Sequence, residues 1–125
     1  MVFYQLREVF IVSANLTTRQ AGDVRVVDVS GKITLGDGSS ALRRLLQDEL
    51  AQGNKKILLN LRNVSYIDSS GIGELVSGFT TVANQGGTLK LLGLTHRIKD
   101  LLQITKLYTI FDIHDEEAHA VSSFK

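Results

Sequence analysis

Three residues that could take part in chemistry, Asp68, Ser69 and Ser70, directly precede Gly71 and a regular apolar stripe. All three are residue types that cap the first turn of a helix. A helix start carries about half a positive charge and unpaired N–H groups, so it also favours a phosphate. Phosphorylation would add a charge of about −1.5 to −2, which Asp68 would oppose. From residue types alone, the three residues either only cap the helix or include a phosphorylated serine that controls partner binding.

The elements that must position these residues are a buried strand and a helix. Residues 57–61 form a short continuous apolar run, which is typical of a strand buried on both faces. A loop is predicted from Asn63 onward, followed by a helix that ends at Gly86-Gly87. The helix is predicted by one apolar stripe at helical spacing: Ile72, Leu75, Val76, Phe79, Val82 and Ala83. In open parallel sheets, functional residues gather where such strands end.

The remaining elements complete an alternating pattern. Further strands are predicted at residues 15–20, 24–30, 89–94 and 108–113. Further helices are predicted after the cap residues Ser40 and Thr95 and over residues 116–122. The order β-β-α-β-α-β-α-β-α predicts an α/β fold, a single domain with a mostly parallel sheet of four to five strands, one antiparallel edge strand and four helices.

Composition limits the classes of function. The chain has 125 residues, 43% of them hydrophobic, which suits one domain with its own core. A net charge of +1 gives no general attraction to nucleic acid or to an anionic membrane, so neither is expected as a partner. No cysteine is present and no apolar run reaches the roughly 20 residues of a membrane span. We therefore expect a cytoplasmic protein without a metal or cofactor.

Residues 1–14 are predicted to be an N-terminal extension to a domain of residues 15–125. Val2, Phe3, Leu6, Val9 and Phe10 recur every three to four residues, as on one face of a short helix, although an added edge strand also fits. These side chains need cover, either from the domain itself or from a second copy in a homodimer.

Enzymatic alternatives lack the residues that they need. A phosphoacceptor role for Asp68 would require additional carboxylates for Mg²⁺, and no acidic pair ends the strand at residues 24–30. The Gly-x-Ser-x-Gly turn of serine hydrolases does not surround Ser69, and no complete phosphate-binding glycine loop occurs. The sequence therefore predicts a protein that is not an enzyme.

The run Asp-Ser-Ser-Gly-Ile-Gly at residues 68–73 resembles the Asp-Ser-(Ser/Thr)-Gly-Leu-Gly signature of STAS domains, the anti-sigma-factor antagonists. The resemblance extends from Asn15 to the C-terminus. It includes the Val-Ser-Gly-Lys-Ile run at residues 29–33, the strand at residues 57–61, the Gly-Gly-Thr-Leu-Lys-Leu run at residues 86–91 and the helix that contains Leu101-Leu102.

The resemblance implies a regulatory cycle. An anti-sigma factor with serine-kinase activity binds the unphosphorylated antagonist, releases its sigma factor, and phosphorylates the serine after the aspartate, here Ser69. The kinase supplies the nucleotide and metal, and a phosphatase resets the antagonist. The positions implied for partner binding are Asp68, Ser70, Gly71, Ile72, Lys32 and Thr34.

One turn departs from the family pattern. Antagonists of the best-known type carry a Gly-Glu-Leu-Asp-like turn after the second strand, whereas Lys32 and Thr34 replace the two acids here. This difference leaves open a different kinase, a stressosome-like scaffold, or the absence of phosphorylation. A further alternative is a constitutive binding module of a transporter complex, because STAS domains also occur there.

Overall fold

The computed structural model describes residues 14–124, and these form a five-stranded mixed sheet. Its order is β1-β2-β3-β4-β5, with β1 antiparallel to β2 and the other neighbours parallel. This arrangement confirms the predicted fold class, including the antiparallel edge strand. The strands are β1 (Asn15–Ala21), β2 (Val24–Ile33), β3 (Lys56–Ile67), β4 (Thr88–Leu92) and β5 (Ile113–His114).

Four helices, α1 (Asp37–Ala51), α2 (Ser69–Asn84), α3 (His96–Ile104) and α4 (Glu117–Ser123), cover the sheet within the described residues. The first three share one large apolar core with one face of the strands, and α4 packs on a smaller cluster at the other face. Adjacent residues Leu58 and Leu59 lie in different clusters, because successive side chains of a strand point to opposite faces. This explains the continuous apolar run of β3.

The capping predictions had mixed outcomes. Thr95 caps α3 as predicted, since its Oγ1 accepts a hydrogen bond from the Ile98 N–H at 3.3 Å. The prediction of Ser40 as the cap of α1 was wrong. That helix begins at Asp37 after Gly36, whose φ of 98° favours glycine, and Ser40 lies within its first turn.

Several strand ends also differ from the prediction, and β2, for example, continues to Ile33 instead of ending at residue 30. The strand β3 continues to Ile67, so residues 63–67 extend the sheet where a loop was predicted. The predicted strand at residues 108–113 was wrong, since only Ile113 and His114 pair with β4. The preceding segment turns so that Phe111 packs edge-to-face on Phe79, with 5.6 Å between ring centroids. Burial of that ring outweighs the local strand propensity.

A surface network ties α4 to the edge of the sheet. The Arg19 guanidinium donates to the carboxylates of Asp28 and Glu117, with shortest distances of 2.6 Å to each. These hydrogen bonds hold the pKa of both carboxyl groups below their ordinary values. The predicted N-terminal extension of residues 1–14, with its homodimer alternative, lies outside the described residues apart from Ala14.

Candidate functional site

The candidate site lies where β2 and β3 end side by side. Ile33 and Ile67 are the last register partners of these parallel strands, and the Asp68 N–H donates to the Ile33 carbonyl at 3.4 Å. The helix α2 begins at the next residue, Ser69, which is exposed. The predicted location at the carboxyl edge of a parallel sheet therefore agrees with the structure.

Asp68 is the cap of α2. Its backbone is extended, at φ −108° and ψ −175°, and its Oδ1 accepts a hydrogen bond from the Gly71 N–H at 2.8 Å. Its Oδ2 accepts from the Leu35 N–H at 3.3 Å. The carboxylate therefore fastens the β2–α1 connection to the start of α2, in addition to satisfying one unpaired donor of the helix.

Asp68→Ala is expected to lower the free energy of unfolding by about 1–2 kcal/mol, because the cap and the contact with the Leu35 N–H are both lost. Urea unfolding followed by circular dichroism measures this loss. Asp68→Asn is the matched control, since asparagine caps about as well and should retain most of the stability. A variant Asp68→Ala as stable as Asp68→Asn would contradict the capping role.

Because Asp68 supplies the cap, the serine hydroxyls are not needed for it. Ser69 is the first residue of α2 and Ser70 the second, and neither hydroxyl has a hydrogen-bond partner among the described side chains and backbone groups. Ser69 is exposed, whereas Ser70 is half-buried. Of the two hydroxyls, that of Ser69 is therefore the more accessible to another protein.

Gly71 and Ile72 lie beneath this surface. A Cβ at Gly71 would collide with the Ile33 carbonyl oxygen and come within 2.5 Å of the Ile67 Cγ1. Ile72 is 3% exposed and belongs to the large core cluster. Neither residue offers a side chain to a partner, so any contribution that they make to partner binding is indirect.

Lys32 and Thr34 were predicted to lie in a turn after the second strand, which was wrong for Lys32: it lies within β2, and Thr34 directly follows that strand. Lys32 is exposed and is the register partner of Tyr66 on β3. Thr34 is half-buried, and its carbonyl accepts hydrogen bonds from the Ser39 N–H and hydroxyl at 3.1 and 2.8 Å. Thr34 thus holds the start of α1, while the Lys32 side chain is available at the surface.

Sequence reasoning missed three exposed residues around Ser69. Leu35, 79% exposed, comes shortly after the end of β2, and Tyr66, 40% exposed, comes from the end of β3. The Arg97 guanidinium carbon lies 4.6 Å from the centroid of the Tyr66 ring, and its Nε donates to the Ile67 carbonyl at 3.4 Å. The order of the strands could have identified Arg97, because α3 starts after the carboxyl end of β4 and β4 is the neighbour of β3.

A serine, a histidine and an aspartate also meet at α4, but not as a catalytic triad. The Nε2 of His114 contacts both the Asp112 Oδ1, at 3.1 Å, and the Ser123 Oγ, at 3.4 Å, whereas a triad uses opposite ring nitrogens. The Ser123 hydroxyl donates to the Ala120 carbonyl at 2.6 Å. The Lys90 ammonium and then His114 lower the pKa of Asp112, so this cluster is an ion-pair network that anchors α4.

Among the described groups of residues 14–124, no set of three or more histidine, aspartate or glutamate side chains is arranged to hold a metal ion. No helix in that range is both long enough and apolar enough to cross a membrane.

The sequence of this chain is similar to a known protein family and to a known bacterial protein. The STAS domain family model matches residues 15–120. An anti-sigma-B factor antagonist of Bacillus subtilis (strain 168) is 33% identical over 102 residues, covering 82% of this chain and 92% of that protein.

Solved structures share the fold at lower identity. The Bacillus cell fate determinant SpoIIAA in the phosphorylated form has a TM-score of 0.69 and 18% identity, covering 89% of this chain and 100% of that one. A sulfate transporter family protein from Wolinella succinogenes has a TM-score of 0.70 and 21% identity, covering 82% and 84%. The family model and the Bacillus subtilis relative show that the chain belongs to the STAS domain family.

Proposed function

We propose that this chain is an anti-sigma-factor antagonist, a protein-binding switch controlled by phosphorylation of Ser69 and not an enzyme. The observation that carries the proposal is an exposed serine hydroxyl at the first residue of α2, left free because Asp68 caps the helix. A kinase can reach such a hydroxyl without unfolding the domain. The name of the Bacillus subtilis relative, an anti-sigma-B factor antagonist, supports the same role.

In the proposed cycle, the unphosphorylated surface around Ser69 binds an anti-sigma factor that is also a serine kinase, in the cytoplasm. The kinase supplies ATP and metal, and its transfer of phosphate to the Ser69 Oγ adds a charge of about −1.5 to −2 at the centre of the contact. A dianion in a desolvated interface costs binding free energy unless the partner pairs it. The partner therefore dissociates, and a phosphatase restores the serine.

The isolated chain is expected to tolerate the phosphate. The N–H groups and dipole at the start of α2 favour an anion, and the Asp68 carboxylate beside it is engaged by the Gly71 and Leu35 N–H groups. The charge change therefore acts mainly on the complex and leaves the fold in place.

The direct test is an affinity purification from the native cell, with intact-mass analysis of the bait and fragmentation to locate any phosphate. The expected result is a kinase partner bound to bait of unmodified mass, and a pool of unbound bait that carries one phosphate on Ser69. A bait that is never phosphorylated, or that binds its partner equally in both forms, contradicts the switch and favours the constitutive binding module.

Ser69→Glu is expected to weaken partner binding by about 1–3 kcal/mol, or about 5- to 150-fold, because it places a fixed negative charge at the same point. Isothermal titration calorimetry with the purified partner measures the change. Ser77→Glu is the matched control: this exposed residue lies two turns further along α2, so it adds the same charge away from the contact. Equal affinities of the wild type and Ser69→Glu would argue against a charge-controlled switch.

A further inference from the structure

Three side chains from separate parts of the chain form a continuous strip beside Ser69: Lys32, Tyr66 and Arg97. Lys32 and Tyr66 are register partners on the parallel strands β2 and β3, so their side chains leave the same face of the sheet. The Arg97 guanidinium stacks on the Tyr66 ring, with 4.6 Å from its carbon to the ring centroid. The strip therefore joins two cations through an exposed aromatic ring.

The two cations of the strip face solvent. Both Lys32 and Arg97 are exposed, and neither belongs to an ion pair among the described side chains. Five other basic residues are held in ion pairs: Arg19, Arg25, Arg43, Lys56 and Lys90. Like Lys32 and Arg97, the following form none among the described side chains: Arg44, Lys55, Arg62, Lys99 and Lys106. At the strip, the nearby carboxylate of Asp68 accepts two backbone N–H groups instead. Lys32 and Arg97 are therefore both available to carboxylates of a partner.

An apolar side chain adjoins the strip. Leu35 is 79% exposed, and its N–H is held by Asp68, which fixes its backbone next to the start of α2. Aromatic rings and arginines are the usual anchors of protein interfaces, and an exposed apolar side chain such as Leu35 adds contact area beside them. The net charge of the whole chain is only +1, so the chain has no general attraction to a polyanion such as nucleic acid.

We propose that the strip Lys32–Tyr66–Arg97 is the specificity surface of this chain and binds an acidic segment of its protein partner, with an apolar partner residue against Leu35. This inference rests on the proposed function for the partner's role and adds the chemistry of the partner's contact surface. Carboxylates of the partner pair with Lys32 and Arg97, and Tyr66 supplies the apolar area between them.

The strip also explains how a phosphate on Ser69 displaces such a partner. Arg97 already reaches the Ile67 carbonyl, two residues before Ser69, through a long hydrogen bond of 3.4 Å. A phosphoserine adds more negative charge than either partner carboxylate and lies on the same chain as the cations. It therefore competes with the acidic segment for Arg97, and it repels the carboxylates of that segment.

The first test needs neither the partner nor phosphorylation. An oligoglutamate peptide is titrated into the full chain at low salt, and amide shifts are followed by NMR, with an oligolysine peptide as the negative control. We expect saturable shifts centred on Lys32, Tyr66 and Arg97, weakened several-fold by Lys32→Glu or Arg97→Glu. Arg44→Glu, an equal charge change at an exposed position of α1, should leave them unchanged. Diffuse shifts over all basic residues, or an equal loss in Arg44→Glu, would overturn the proposal.

The second test separates this inference from the proposed function. Binding of the purified kinase partner to Arg97→Glu is measured by calorimetry, alongside phosphate incorporation at Ser69. Several-fold weaker binding than that of the wild type and Arg44→Glu supports the strip. Unchanged binding with normal phosphorylation overturns the strip while the switch stands. Peptide binding at the strip in a chain that no kinase phosphorylates leaves the strip supported and rejects the switch.

Discussion

Ser69→Ala is expected to reduce phosphate incorporation by the cognate kinase to background while leaving the fold intact. Transfer requires the Oγ of Ser69, and alanine removes that atom. The fold should persist because the Ser69 hydroxyl has no hydrogen-bond partner among the described groups and alanine suits a helix. Incorporation of labelled phosphate from ATP measures the first effect, and urea unfolding the second.

Ser70→Ala is the matched control for this experiment. It removes a hydroxyl from the same turn of α2, but from a half-buried position that a kinase reaches less easily. We expect this variant to incorporate phosphate at close to the wild-type level. Loss of incorporation in Ser70→Ala with retention in Ser69→Ala would move the modification site by one residue and contradict the assignment.

Residue types alone could not separate the two interpretations of Asp68, Ser69 and Ser70, because all three can cap a helix. The structure assigns the cap to Asp68, whose carboxylate reaches both the Gly71 and Leu35 N–H groups. The contact with Leu35 joins residues 33 positions apart, and no local pattern predicts it. Capping by Asp68 is thus compatible with a regulatory role for Ser69 and does not compete with it.

Much of the fold could be predicted because buried apolar residues recur in the sequence with the period of the helix or strand that they belong to. The stripe on α2 and the apolar run at the start of β3 point to elements that the structure contains. The prediction failed at residues 108–113, where β-branched and aromatic residues favour a strand but the Phe111 ring is buried against Phe79 instead. Propensity is a weak guide where a single tertiary contact decides the course of the chain.

The surface around Ser69 was less predictable than the fold. The Arg97–Tyr66 contact joins the start of α3 to the end of β3, and it exists only because β4 pairs with β3 in this register. Lys32 was noted in the sequence as a departure from the family turn, but its position next to Tyr66 follows from the β2–β3 register. Specificity residues drawn from several strand ends are therefore visible only once the sheet is assembled.

The close approach of α2 to β2 gives a second strong test, because it explains why the residue after the two serines is a glycine. Gly71→Ala is expected to lower the free energy of unfolding by about 3 kcal/mol, since the added methyl group would collide with the Ile33 carbonyl oxygen and crowd the Ile67 side chain. The clash is hard to relieve, because Ile33 is held in register with Ile67 at the end of the sheet. Urea unfolding measures the loss.

Gly73→Ala supplies the control within the same turn of α2. A Cβ at Gly73 would meet no atom within 4 Å, so alanine should be neutral or stabilise the helix by about 0.5–1 kcal/mol. The two variants add the same methyl group, and their stabilities should therefore differ by more than about 3 kcal/mol. If Gly71→Ala proved as stable as Gly73→Ala, steric contact with β2 would not be the reason for glycine at position 71. The packing of Gly71 against Ile33 would then not be what holds Ser69 in position at the start of α2.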